Sequence, residues 1–104
     1  MIQFSEETIQ LLIAVLVGGI IGIEREYSNK SAGFRTMILI CLGSTLLTII
    51  SEKITHNSDD RIAANIITGI GFIGAGVVFK EGFTVIGLTT AASIWVTSAL
   101  GMAI

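Results

Sequence analysis

Apolar residues run along this chain in long blocks rather than in short alternation. Asp, Glu, Lys and Arg are missing from residues 8–23, 36–51, 62–79 and 82–104. The second block becomes 34–51 if Arg35 lies at an interface. Crossing a ~30 Å hydrocarbon core takes about 20 helical residues, within a range of ~17–25. Each block approaches that length once a turn of interfacial residues is added, and long basic side chains can snorkel toward water. Membrane strands would alternate in polarity over ~9–11 residues, and these blocks do not. Helices of a soluble bundle would each carry a charged face, whereas residues 11–23 and 37–50 have none. The pattern predicts an all-α integral membrane bundle of four transmembrane helices, forming one domain over residues 1–104.

Composition sharpens this picture. Of 104 residues, 52% are hydrophobic and 13% charged, about half the charge of an ordinary soluble domain. Disordered chains are polar and charged, so disorder is excluded. The net charge of -2 and the lack of a basic cluster argue against nucleic acid as a partner. A single cysteine, Cys41, leaves no internal disulfide framework and no cysteine-based zinc site. The first block is preceded by Glu6 and Glu7 where a signal peptide would be basic. Ser5 could cap that helix, and the two carboxylates suit its positive end.

Basic residues set the expected orientation. Loops one and three hold Arg25, Lys30, Arg35 and Lys80, while loop two holds Lys53 and Arg61. The positive-inside rule places loops one and three in the cytoplasm, so both ends of the four-helix chain face outward.

Small residues indicate how the helices pack. Ala14, Gly18 and Gly22 recur every four residues and therefore share a face. Such spacing lets backbones approach closely in lipid, and Gly22 would bring another backbone against Glu24, Arg25 and Glu26. The third block contains Gly69, Gly71, Gly74 and Gly76. Three of these form G-x-G-x-x-G, but a dinucleotide fingerprint needs a preceding strand and an acidic residue about 20 positions on. Residues 89–93 contain no acid. The glycines instead suggest a helix with two flattened faces, or one locally unwound near residues 71–76. Broken helices in lipid are tolerated only under cover of other protein or a water cavity, so this segment is expected at the centre of the bundle. In the fourth block, Thr90, Ser93 and Thr97 form a hydroxyl stripe. It serves either helix packing or a weakly polar passage.

Ionisable groups are the default functional candidates in a membrane. None lies at mid-depth in any block, and the deepest polar side chain is Asn65, one turn inside Arg61. Candidates therefore gather at the edges: Glu24, Arg25 and Glu26 closing the first helix, Arg35 opening the second, and Arg61 opening the third. Arg25 is expected to pair with another helix end, or with Glu81 across the surface. Asp59 and Asp60 favour a helix start and would equally suit a divalent cation, which two aspartates alone do not decide.

These residues lie within four ordered motifs: GIEREYSNKSAGFRT, LICLGSTL, RIAANIITGIGFIGAGVVFKEG and GLTTAASIWVTSALGMA. Together, from about Leu12 to Ala103, they resemble the MgtC/SapB family of bacterial inner-membrane proteins. The resemblance implies about five transmembrane helices, often followed by a soluble cytoplasmic domain, so the sequence is expected to stop before a fifth helix. It implies an outside N-terminus, as the charge count does. It also implies a link to growth in low magnesium and, in some pathogens, to survival inside host cells. The family's signature positions fall on Glu24, Arg25, Glu26, Gly33, Arg35, Thr36, Arg61, Ala64, Gly69, Gly71, Phe72, Gly74, Ala75, Gly76, Glu81, Gly87, Thr89, Thr90, Ala91, Ala92 and Trp95. Asn65 stands where glutamine is usual, and Ser58 where aspartate is common.

Two functions remain in view. One is a non-enzymatic, cofactor-free regulatory protein of the inner membrane, homodimeric and acting on another membrane complex. The other is a transporter or channel for magnesium or another small solute, motivated by the glycine-rich third helix and the hydroxyls of the fourth. No nucleophile, base and oxyanion-donor set can be assembled for an enzyme.

Overall fold

The computed structural model describes residues 6–28, 30, 32–55, 60–81 and 85–104. Side chains at 54, 55, 60, 81, 85 and 86 fall outside that description. Four helices follow in order: α1 (Glu6–Tyr27), α2 (Phe34–Thr55), α3 (Asp60–Glu81) and α4 (Val85–Ala103). Three of them, α1, α2 and α3, contain stretches long and apolar enough to cross a membrane. The fourth, α4, has 19 residues without one charged side chain and rises about 28 Å at 1.5 Å per residue. The all-α membrane bundle expected from the apolar blocks is the observed architecture.

Helices α1, α2 and α3 start and end beyond the charge-free blocks that forecast them, whereas α4 lies within its block. Helix α1 takes Glu6 and Glu7 into its first turn and Arg25 into its last. That distribution suits the helix dipole. Lys53 and Lys80 occupy the last turns of α2 and α3 in the same way.

The helices pack in the spatial order α1, α2, α4, α3. Helices α2 and α3 are consecutive in sequence yet barely touch. An apolar groove of about 690 Å³ separates them, lined by Leu39, Ile40 and Leu47 on one side and Ile62, Ile66 and Ile73 on the other. The molecule is a slab measuring 47 × 33 × 14 Å.

Helix α3 runs unbroken through its glycines and is the least buried of the three apolar spans. The expectation of a central, partly unwound segment is therefore corrected: α3 is regular and lies at the edge, against α4. A regular helix satisfies its own backbone groups and needs no cover. Only Gly74 meets a neighbour there, its added Cβ falling 3.5 Å from Ala91 of α4. Nothing lies within 4 Å of such an atom at Gly69, Gly71 or Gly76, so these three do not pack helices within the chain.

The close approaches are elsewhere. A Cβ on Gly18 would sit 2.7 Å from the Met37 carbonyl oxygen, and one on Gly22 would meet the backbone of Phe34. Gly101 of α4 likewise lies against the Cys41 carbonyl and Ser44 of α2. With Ala14, the glycines of α1 form one small-residue face that lets α2 in. The core beneath is modest: Met37, Ile66, Ile70 and Ile94 form its buried apolar cluster.

Candidate functional site

The interior where α1, α2 and α4 meet is built largely of hydroxyls around one guanidinium. Arg25, Ser44, Thr45, Thr90, Thr97 and Ser98 are all buried. In lipid there is little hydrophobic drive between helices, so polar contacts and close packing hold them together.

Arg25 is 3% exposed. Its Nη2 donates to Thr90 Oγ1 at 2.6 Å and its Nη1 to Ser93 Oγ at 3.0 Å. Its Nε donates to the Ala32 carbonyl at 3.1 Å. One side chain thus ties the end of α1 to the first turns of α4 and to the α1–α2 loop. The hydroxyls are poised to accept. Ser93 donates its own proton to the Thr89 carbonyl at 2.9 Å, which leaves its lone pairs for the guanidinium. Ala32 holds φ at 55°, a left-handed conformation that disfavours any residue with a Cβ. That turn aims its carbonyl back at Arg25.

The side chain of Arg25 points inward and meets another helix, α4, while Glu81, the other expected partner, has its side chain outside the described residues. Gly22, one turn earlier, admits the loop backbone at Gly33 and Phe34. The returning chain covers Arg25 and supplies a carbonyl. Arg25 is also the buried ionisable group that the charge-free blocks conceal.

Beyond the guanidinium, polar contacts continue along α2 and α4. Thr97 donates to the Ser93 carbonyl at 2.7 Å, with Met37 Sδ at 3.5 Å. Ser44 and Ser98 share a 2.9 Å hydrogen bond. The Thr45 hydroxyl lies 2.9 Å from the Cys41 carbonyl and 2.7 Å from that of Gly101. Thr97, Ser98 and Gly101 on α4 face Met37, Cys41, Ser44 and Thr45 on α2. The steps of three and four residues on both helices keep one seam. Sequence reasoning singled out only the α4 half. The α2 half carried the same signal, a run of Cys41, Ser44, Thr45 and Thr48 at helical spacing.

The other candidate residues are dispersed. Glu24, Glu26, Arg35, Arg61 and Asn65 are exposed. Glu26 lies over Gly33, its Oε1 3.1 Å from where a Cβ would stand. Ser5, His56, Ser58 and Asp59 lie outside the described residues, as do the side chains of Asp60 and Glu81. Among the described residues, no group of three or more His, Cys, Asp or Glu side chains is placed to hold a metal ion. At the opposite end of the bundle from Arg25, Lys53 pairs with Glu7 at 3.0 Å. Both are well exposed, and such pairs contribute ~0–1 kcal/mol.

Comparison with known proteins identifies relatives. The model of the MgtC family matches residues 11–104. "Protein MgtC" of Brucella abortus (strain 2308) is 46% identical over 90 residues, covering 86% of this chain and 38% of the relative. "Protein MgtC" of Salmonella typhimurium (strain 14028s / SGSC 2262) is 43% identical over 94 residues, covering 90% and 41%. "Putative magnesium transporter YhiD" of Escherichia coli (strain K12) is 45% identical over 109 residues, covering 96% and 51%. The chain therefore spans about half or less of the length of these relatives. No solved structure matches it.

Proposed function

The chain belongs to the MgtC family, and from that premise we propose that it is the membrane part of a bacterial inner-membrane regulator. Its task is adaptation to low magnesium, with survival inside host cells as the setting in pathogens. It acts by contact with another membrane complex. Loops one and three, which hold four of the six basic residues, face the cytoplasm, and the N-terminus faces outward.

The observation that carries this reading is the buried guanidinium at one end of the hydroxyl stripe. A passage for a divalent cation along α4 would run past Thr90 and Ser93. Both hydroxyls hold Arg25. The guanidinium therefore already occupies the oxygens that a passing magnesium ion would need. The stripe suits a latch between helices better than a path for magnesium. A latch joining α1, the first loop and α4 gives a partner one rigid surface to read.

The test is magnesium flux into sealed liposomes containing the full-length protein, alongside growth in low magnesium. Flux no greater than in protein-free liposomes is expected. A growth defect is expected for Arg25→Lys protein that still reaches the membrane. Saturable magnesium flux in the wild type would overturn the regulatory reading. The name of the Escherichia coli relative favours that second reading, and the hydroxyl stripe is the feature it would use.

A further inference from the structure

Helix α3 presents an outer face that its own chain leaves uncovered. Thr68, Phe72, Ala75 and Phe79 are exposed there, Phe72 at 81% and Phe79 at 92%, and Asn65, also exposed, continues the stripe at the rim of the α2–α3 groove. Their spacing of three and four residues repeats every seven, which is the seam of a two-helix coiled contact. Gly69 and Gly76 flank this stripe on one side, and Ala64 and Gly71 on the other. The three glycines have open space where a Cβ would be.

We propose that this face binds the same face of a second copy, with the two α3 helices side by side and parallel. The face is complementary to itself. In a parallel pair, Phe72 as a knob would enter the hole formed by Thr68, Gly71, Phe72 and Ala75 of the other chain. Three of those four residues are small, so a bulky ring fits where a row of bulky residues would hold the helices apart. The exposed Phe rings and the unfilled glycine positions are bump and hollow of one surface. A two-fold axis along the membrane normal brings like surfaces together.

Asn65 adds a polar argument for a second copy over lipid. Its amide has no hydrogen-bond partner among the described residues, and it lies one turn inside the start of α3. Lipid tails offer an amide nothing. Another Asn65 offers both a donor and an acceptor, and a single asparagine in such a seam fixes register and the two-chain state. Thr68 is already satisfied by the Ala64 carbonyl at 3.0 Å. Arg61 continues the stripe at its wet end, where headgroups and water screen two like charges. This proposal rests on the membrane fold alone and is independent of what the protein regulates.

Cysteine crosslinking of the full-length protein in native membranes tests it, with its native cysteines, Cys41 among them, replaced by serine as background. Ala75→Cys should form disulfide-linked dimer at least tenfold more than Ile20→Cys, which is exposed on α1. Adding Gly69→Leu or Gly76→Leu should cut the Ala75→Cys crosslink at least tenfold. Both positions are open within the monomer, so each chain should still fold, as equal protease resistance would show. Equal crosslinking at Ala75→Cys and Ile20→Cys would overturn the proposal. So would monomer alone, or a crosslink unaffected by the leucines in folded protein.

Discussion

Arg25 illustrates how little a charge's place in sequence says about its depth in a bundle. It closes the first apolar block, where a basic residue commonly snorkels to headgroups. In the structure it turns inward and donates to Thr90, Ser93 and Ala32. Hydrogen bonds to a charged group contribute ~1.5–3 kcal/mol each, against a desolvation cost of several kcal/mol. The net effect on stability is small, and what the guanidinium supplies is a fixed three-way geometry. Arg25→Lys keeps the charge but loses the planar fork. It is expected to lower stability in detergent by about 1–3 kcal/mol, read by thermal unfolding. Arg25→Met should cost about the same or less, since it also removes the buried charge. A lysine variant as stable as wild type would show that the fork is not needed. Ala32 offers a second check. Its left-handed φ of 55° suits glycine, so Ala32→Gly should be neutral within about 1 kcal/mol. Ala32→Val should lose about 1–2 kcal/mol. The donor set of Arg25 was half legible: the hydroxyls of α4 stand out by spacing. The Ala32 carbonyl does not, because loop backbone direction leaves no mark in composition.

At the scale of helices, the apolar blocks located all four elements but shortened three of them. Residues 8–23 became α1 from Glu6 to Tyr27, and residues 62–79 became α3 from Asp60 to Glu81. A charge-free criterion stops at the first ionisable residue, whereas a helix gains from carboxylates at its start and ammonium groups at its end. Glycine roles were less legible. The same residue type marks contact in α1 and open space in α3, because spacing defines a face but not what covers it. The two cases separate by experiment. Gly18→Ala would place a methyl 2.7 Å from the Met37 carbonyl oxygen, a backbone atom that moves only with its helix. A loss of about 1–3 kcal/mol is expected from such overpacking. Gly69→Ala meets nothing within 4 Å and should gain up to about 1 kcal/mol of helix propensity in detergent-solubilised monomer. Gly74 falls between them. Alanine should be tolerated 3.5 Å from Ala91, whereas Gly74→Leu should force α3 from α4 and lower the unfolding temperature clearly. Similar stability for Gly18→Ala and Gly69→Ala would mean that the α1–α2 contact is looser than described.

For the whole molecule, orientation is the property on which the functional reading depends, and the slab itself does not decide it. The latch at Arg25 faces a cytoplasmic partner only if loops one and three are inside. The sequence bias toward that side is four basic residues against two, a narrow margin for a rule that counts Lys and Arg in short loops. Arg25 belongs to this count during insertion even though it is buried once the helices have packed. Lys30 and Lys80 are different: both are exposed, and among the described residues neither side chain holds another element in place. Replacing them as Lys30→Gln with Lys80→Gln would leave two basic residues on each side while sparing the packed interior. The wild type is expected to show one orientation, read by labelling a cysteine introduced in loop two with a membrane-impermeant reagent on intact cells. The double variant should label as a mixture, its stability in detergent within about 0.5 kcal/mol of wild type as for ordinary surface changes. If the double variant keeps a single orientation, the bias must come from the buried Arg25, from the exposed Arg35 or from chain outside these 104 residues. If the wild type places loop two inside, the latch would face outward, and a cytoplasmic partner could not be the one that reads it.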